Sequence, residues 1–212
     1  RIPVVLVHGM DGSPRDFAAI VDHLDRSRLQ PWVFYYPTGL TLSFSAFALD
    51  QFLEELQARL GFSRLYLVAH SMGGLVSRGA INLRLGDGRR TEVERFVTIS
   101  TPWQGHAAAN LGVKTAPVVV PSWRDMAPGS AYLQGLFAVP WPPTIERSML
   151  FSFHGHSMMT PGSDDGTVSV QSMLAYPAQD GTRLVRGLDE DHTSILKSPK
   201  TLELLDGLLG PR

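Results

Sequence analysis

The stretch LYLVAHSMGGLV, Leu65 to Val76, constrains this chain more than any other. Leu65, Leu67, Val68 and Ala69 make a continuous apolar run of the kind a strand buried on both faces requires, and Gly73-Gly74-Leu75-Val76 opens a helix. No turn-length spacer separates the two, so Ser71 must occupy a sharp strand-to-helix reversal. The backbone doubles back there, and a branched side chain two residues away on either side would collide; Ala69 and Gly73 are small enough. The serine hydroxyl then projects from the carboxyl edge of a sheet. An N-cap serine in a glycine-containing loop accounts for the same residues, so the remainder of the chain has to decide between the two.

Periodicity along the rest of the sequence alternates strand and helix. IPVVLVHG (Ile2 to Gly9) is a strand, and SPRDFAAIVDHL follows with Ser13 as N-cap and Pro14 at the first helical position. WVFYYP is a second strand. Between Ser43 and Leu60, Phe44, Ala48, Phe52, Leu56 and Leu60 recur at i+4 with Asp50, Glu54, Glu55 and Arg59 off that stripe, which predicts a long amphipathic helix stopping at Gly61. Strands are predicted again at VERFVTIS, SMLFSF and TRLVRG, and a last helix at SPKTLELLDGLL, with Ser198 as cap. The alternation implies an α/β fold: a mostly parallel sheet of about six strands with helices on both faces. At 212 residues the chain is expected to be one domain, residues 1–212.

Composition removes several classes of function. Lys and Arg number 19 against 20 Asp and Glu, for a net charge of -1 and no basic run, so nothing calls for nucleic acid. The absence of cysteine excludes disulfides, thiolate metal sites and a cysteine nucleophile, and leaves the redox compartment open. No apolar stretch approaches the ~20 residues of a transmembrane segment. Arg1 stands directly ahead of a strand, and the expectation is a leader removed before it and a secreted or extracytoplasmic protein.

One region breaks the rhythm. Residues 103–147 spend 45 positions where a crossover needs about a dozen. They hold three of the four tryptophans and six of the fifteen prolines, with few charges. This is expected to be an insertion capping the carboxyl edge above Ser71, with Trp103, Trp123 and Phe137 as candidate substrate-binding residues; a crossover that merely covers a sheet face is the competing expectation.

A serine at such a reversal can act in acyl transfer if a base, an orienting acid and oxyanion donors arrive from other strand ends. VHGM (Val7 to Met10) ends the first strand, SDDGTV (Ser163 to Val168) follows the SMLFSF strand, and LDEDHTSIL (Leu188 to Leu196) follows the last. Their order is serine, acid, histidine. On LVHGM, AHSMGG, DDGTVSVQS and DHTSIL the chain resembles the α/β-hydrolase-fold bacterial lipases and esterases from Val4 to about Leu209. ISTPWQG (Ile99 to Gly105) is similar to a segment of those lipases and of the related GPI-inositol deacylases. Ala69 stands where the G-x-S-x-G pattern has glycine, and the customary first two strands are missing.

The resemblance implies a serine hydrolase of carboxylic esters needing no cofactor and no metal, acting on a small-molecule or lipid ester with transient contact with lipid surfaces. Ser71 is implied as nucleophile, His192 as base, and Asp165 as the orienting acid, because the residue before glycine in DDG matches the lipase pattern rather than Asp164. Backbone N–H groups of Met72, at a helix N-terminus, and Met10 are implied as oxyanion donors. His8 is expected to pack beside the oxyanion turn and His70 to point away from Ser71. His154 and His156 with Asp164 resemble metal ligands but accompany no H-E-x-x-H set and are expected to support loops. The side chains of Met10, Met72, Met126, Met158 and Met159 are expected to fill core gaps near the site. A lipid-linked deacylase or thioesterase, and a non-catalytic binding module on the same fold, are the alternatives.

Overall fold

The computed structural model describes residues 1–109, 119–157 and 162–211. Lys114, Pro117 and Val118 of the expected cap, and Met158 and Met159, lie outside the described residues.

Six strands, β1 (Ile2–Val7), β2 (Leu29–Phe34), β3 (Leu65–His70), β4 (Val93–Ile99), β5 (Glu146–Ser152) and β6 (Leu184–Leu188), pair in the order β2-β1-β3-β4-β5-β6. Every pairing is parallel. The order reverses direction between β1 and β3, which opens a crevice at their carboxyl ends, where ligands of open α/β sheets bind. β2 begins three residues earlier than WVFYYP implied and includes Pro31. A proline is tolerated because β2 is an edge strand with one side free of ladder bonds.

Side chains of the central strands alternate between two apolar layers, which is why the strands read as unbroken hydrophobic runs. Val5, Val7, Leu65, Leu67 and Ala69 join one layer under the helices α2 (Leu42–Leu60) and α3 (Met72–Gly86). Val4, Leu6, Tyr66, Val68, Val97 and Ile99 join the other under a short helix α1 (Ala18–His23) and the terminal helix. The segment between β4 and β5 includes the short helices α4 (Pro121–Met126) and α5 (Ala131–Leu136). Helical turns α6 (Val170–Met173) and α7 (Tyr176–Gln179) precede β6, and α8 (Pro199–Leu209) ends the fold. Ser198 stands at the N-cap position of α8 but its side chain makes no capping bond.

The buried face of α2 differs from the predicted stripe. Phe44 is 54% exposed and Leu60 43%, whereas Leu42, Ala46, Leu49, Leu53 and Leu56 face the sheet. Asp50 shares that inner face and is 1% exposed. Its carboxylate is fully partnered there: Arg84 Nε reaches Oδ1 at 2.7 Å and Arg89 reaches Oδ2 at 2.7 Å.

Candidate active site

The reversal at Ser71 is as sharp as the small neighbours demanded. Ser71 has φ +53° and ψ −129°, between the last residue of β3 and the first of α3, and its N–H still donates to Ile99 O at 2.8 Å as a last rung of the β3–β4 ladder. Helix α3 starts hard against the end of β1. A Cβ on Gly73 would come within 2.2 Å of Val7 O, and one on Gly9 within 2.7 Å of Ser71 Cβ. Glycine at both positions therefore sets how closely the turn after β1 approaches the serine.

Three loops deliver three side chains to one point. His192 Nε2 lies 2.9 Å from Ser71 Oγ, and His192 Nδ1 lies 2.7 Å from Asp165 Oδ2. The histidine loop is clipped to the acid loop by the His192 N–H, which donates to Asp165 O at 3.0 Å. Ser71 is 9% exposed, His192 8% and Asp165 1%. The adjacent carboxylates have separate partners. Asp165 Oδ1 accepts from the N–H groups of Thr167 (3.1 Å) and Val168 (2.7 Å), while Asp164 accepts from Ser157 N and Gly166 N and supports the loop. Burial is the largest influence on Asp165 and opposes ionisation; the hydrogen bond and charge of His192, with bonds from Ser152 and Val168, outweigh it and hold the carboxyl below its ordinary range.

The turn after β1 is held by a buried imidazole. His8 Nδ1 donates to Gly9 O at 2.9 Å and Nε2 accepts from Tyr36 N at 3.4 Å, with its ring stacked on Tyr36 at 4.6 Å. One nitrogen donating and the other accepting makes His8 neutral, and burial lowers its pKa. Met10 lies on this turn, and its Sδ accepts from Trp123 Nε1 at 3.3 Å. Met72, at the other side of Ser71, opens α3. Gly9, the residue before Met10, closely approaches Ser71, and Met72 follows Ser71 directly in the chain.

The cap residues separate. Trp123 meets the β1 turn through Met10. Trp103 is 3% exposed, packs its ring 5.8 Å from Phe137, and belongs with it to the layer that also holds α2 and α3. Met126 is also in that layer. His154 pairs with Asp189 at 2.9 Å on the surface, and among the described residues no three His, Asp or Glu side chains come together as metal ligands.

Sequence reasoning missed two contributors. His70 is adjacent to His192: its Nε2 donates to His192 O at 2.8 Å, and the two rings lie 4.8 Å apart. Burial, then the charge of His192, pushes its pKa down to about 3, so it stays neutral and keeps its donor proton. Ser152 Oγ donates to Asp165 Oδ2 at 2.5 Å. For His70 a signal existed, since it ends a strand one residue before the reversal. Ser152 is one of several serines in SMLFSF-type context and carries no local mark.

A sequence model of the PGAP1-like alpha/beta domain matches residues 1–116, more than half of the 212-residue chain. The chain belongs to this family. The PGAP1-like match spans the turn after β1 and the Ser71 reversal, and Asp165 and His192 lie beyond it. Among curated proteins, none matches the chain in sequence. Among solved structures, the mature form of lipase BlEst2 from Bacillus licheniformis superposes with a TM-score of 0.78 at 19% identity, covering 100% of this chain and 93% of that one. Aspergillus fumigatus lipase B gives 0.72 at 15%, covering 99% of this chain and 52% of the other. The metagenomic carboxyl esterase MGS0156 gives 0.67 at 14%, covering 92% and 65%. Identities this low establish the fold, which is that of the α/β-hydrolases. No helix of the described residues is long and apolar enough to cross a membrane.

Proposed function

We propose that this PGAP1-like chain hydrolyses carboxylic esters, as a lipase or esterase, through an acyl-enzyme on Ser71. One observation carries the reading: a single imidazole, His192, lies within hydrogen-bond reach of a strained serine hydroxyl at one nitrogen and a buried carboxylate at the other. The likeness to lipases and an esterase supports the same class of reaction.

In the proposed mechanism Ser71 Oγ attacks the ester carbonyl carbon while His192 Nε2 takes the hydroxyl proton. Asp165 keeps the Nδ1–H tautomer and balances the imidazolium that forms. The carbonyl oxygen becomes an oxyanion received by the N–H groups of Met72 and Met10, where one donor is typically worth ~3 kcal/mol. Collapse breaks the bond to the alcohol, which leaves with the proton from His192. Water then attacks the acyl-enzyme by the same route and frees the acid. No cofactor or metal enters any step.

The acyl chain is assigned to the cap, with Trp123 beside Met10 as its first contact; Trp103 and Phe137 pack on each other in the layer that holds α2 and α3. Apolar walls favour longer chains by ~0.8 kcal/mol per buried CH₂. The test is a series of p-nitrophenyl esters from acetate to decanoate, beside an emulsified triglyceride. Rising kcat/KM to at least octanoate is expected and supports a lipase, and a polar residue at Trp123 should flatten the rise. A peak at acetate or butyrate leaves an esterase, and no turnover of any ester by folded protein removes the proposal.

A further inference from the structure

The mechanism above leaves unused a buried run of hydroxyls behind the acid. Ser152 closes β5 and Ser100 follows β4, and both are 0% exposed. Ser152 Oγ donates to Asp165 Oδ2, the oxygen that also accepts from His192 Nδ1. Ser100 Oγ lies 2.7 Å from Ser152 Oγ and accepts from the Ser152 N–H at 3.3 Å. A serine has one hydroxyl proton. Ser152 commits its proton to the carboxylate, so Ser100 must donate its own to Ser152 Oγ. Each proton from Ser100 to Asp165 then has one direction available.

The backbone of Ser100 adds a second, independent observation. Its φ is +50°, and among the described residues only Asp11 and Ser71 share a positive φ without being glycine. A glycine would occupy that conformation without strain, whereas a serine persists there only where its surroundings demand it. The demand is legible in the side chain, whose oxygen reaches Ser152 from this backbone position.

We propose that Ser100 and Ser152 form a two-serine relay of positioning residues that fixes Asp165, and through it His192, for the hydrolytic reaction; this rests on the acyl-enzyme reading. Two backbone donors hold Oδ1 of Asp165 and the relay holds Oδ2, so the carboxylate cannot rotate as charge builds on His192. The relay also shares Oδ2 between two donors. Without Ser152 the imidazole Nδ1–H becomes the remaining donor to that oxygen, and the bond between them shortens. His70 from β3 and His106 from the segment after β4 also face His192, and both are kept neutral by burial, so Asp165 is the charge to which the imidazole responds.

The experiment combines steady-state hydrolysis of p-nitrophenyl butyrate with proton NMR of the downfield imidazole Nδ1–H in wild type, Ser152→Ala, Ser100→Ala, Ser100→Gly and the Ser100→Ala/Ser152→Ala double variant. Ser152→Ala is expected to lower kcat about ten-fold with KM within about two-fold, as for a lost bond to a charged group, and to move the Nδ1–H resonance downfield. Ser100→Ala and Ser100→Gly should lose equal activity although the glycine variant has the higher Tm, and neither loss should add to that of Ser152→Ala. An unmoved resonance with wild-type kcat in Ser152→Ala, Ser100 losses that follow Tm, or full additivity would overturn the relay. Should Ser152→Ala fold poorly, Ser100→Gly carries the same test. A wild type inactive on esters would remove the functional reading, while the resonance, which needs no substrate, still tests the relay.

Discussion

Asp165 and Asp50 are both 1% exposed and both bound by several donors, yet they belong to different chemistry. Asp50 faces Arg84 and Arg89, which reach on to Glu92 and Glu54 and tie α2 and α3 to the start of β4. A guanidinium holds its proton throughout the physiological range, so this network can bind but cannot transfer. Asp165 faces His192, an imidazole with one ring nitrogen turned to the carboxylate and the other to a hydroxyl on a strained turn, so it can pass a proton where a guanidinium cannot. Burial and pairing of a carboxylate therefore mark structural weight as readily as catalysis. The partner, and what lies one bond further on, tell them apart.

Substitutions should pull the two regions apart. The largest effect is expected at the hydroxyl: Ser71→Ala should lower kcat about a million-fold with unchanged circular dichroism, and retention of a tenth of the activity would end its assignment as nucleophile. Next, Asp165→Asn should cost up to ~10⁴ in kcat by disturbing the tautomer of His192, with Asp164→Asn costing far less; equal losses or the reverse order would contradict the separation of the two carboxylates. Asp50→Asn should do the opposite, lowering unfolding free energy by about 3 kcal/mol in urea titrations while kcat per folded molecule stays at the wild-type value.

Smaller effects follow from the histidines. His70, His8 and His106 are held neutral by burial, His70 with a pKa of about 3 against an ordinary 6.5. Below pH 6.5 the unfolded chain therefore binds more protons than the folded one, and stability is full above that pH and declines as pH falls towards 3. Tm measured from pH 8 to 4 should drop accordingly, and less steeply in His70→Asn; parallel curves would remove His70 from this account. The smallest effect is expected at the exposed end of the arginine network, where truncating Glu54, which meets the one-third-exposed Arg89, should cost at most about 1 kcal/mol.

The same contrast explains what was legible in the sequence. The reversal at Ser71 and the glycine at 73 are local signatures, set by steric limits within a few residues; Asp165 and His192 were implied by the resemblance of DDGTVSVQS and DHTSIL to lipase loops, and both lie beside the reversal. The inner face of α2 was not legible. Leu42, Ala46, Leu49, Leu53 and Leu56 form a second apolar register that competes with the stripe through Phe44 and Phe52, and only tertiary packing chooses between them; an aspartate at position 50 reads as surface when its partners lie 34 and 39 residues further along the chain. The support of the site was hidden for the same reason: Ser100 and Ser152 acquire meaning only when parallel strands β4 and β5 bring them side by side.

Ser71 is proposed as the nucleophile that His192 and Asp165 activate from behind, and active-site labelling is the sharpest test of that role. A fluorophosphonate probe, followed by peptide mapping, should form one adduct on Ser71 in wild type and at the same rate in folded Asp50→Asn, form it far more slowly in Asp165→Asn, and form none in Ser71→Ala. Labelling at another serine, or well-folded wild type that takes no label, would contradict it.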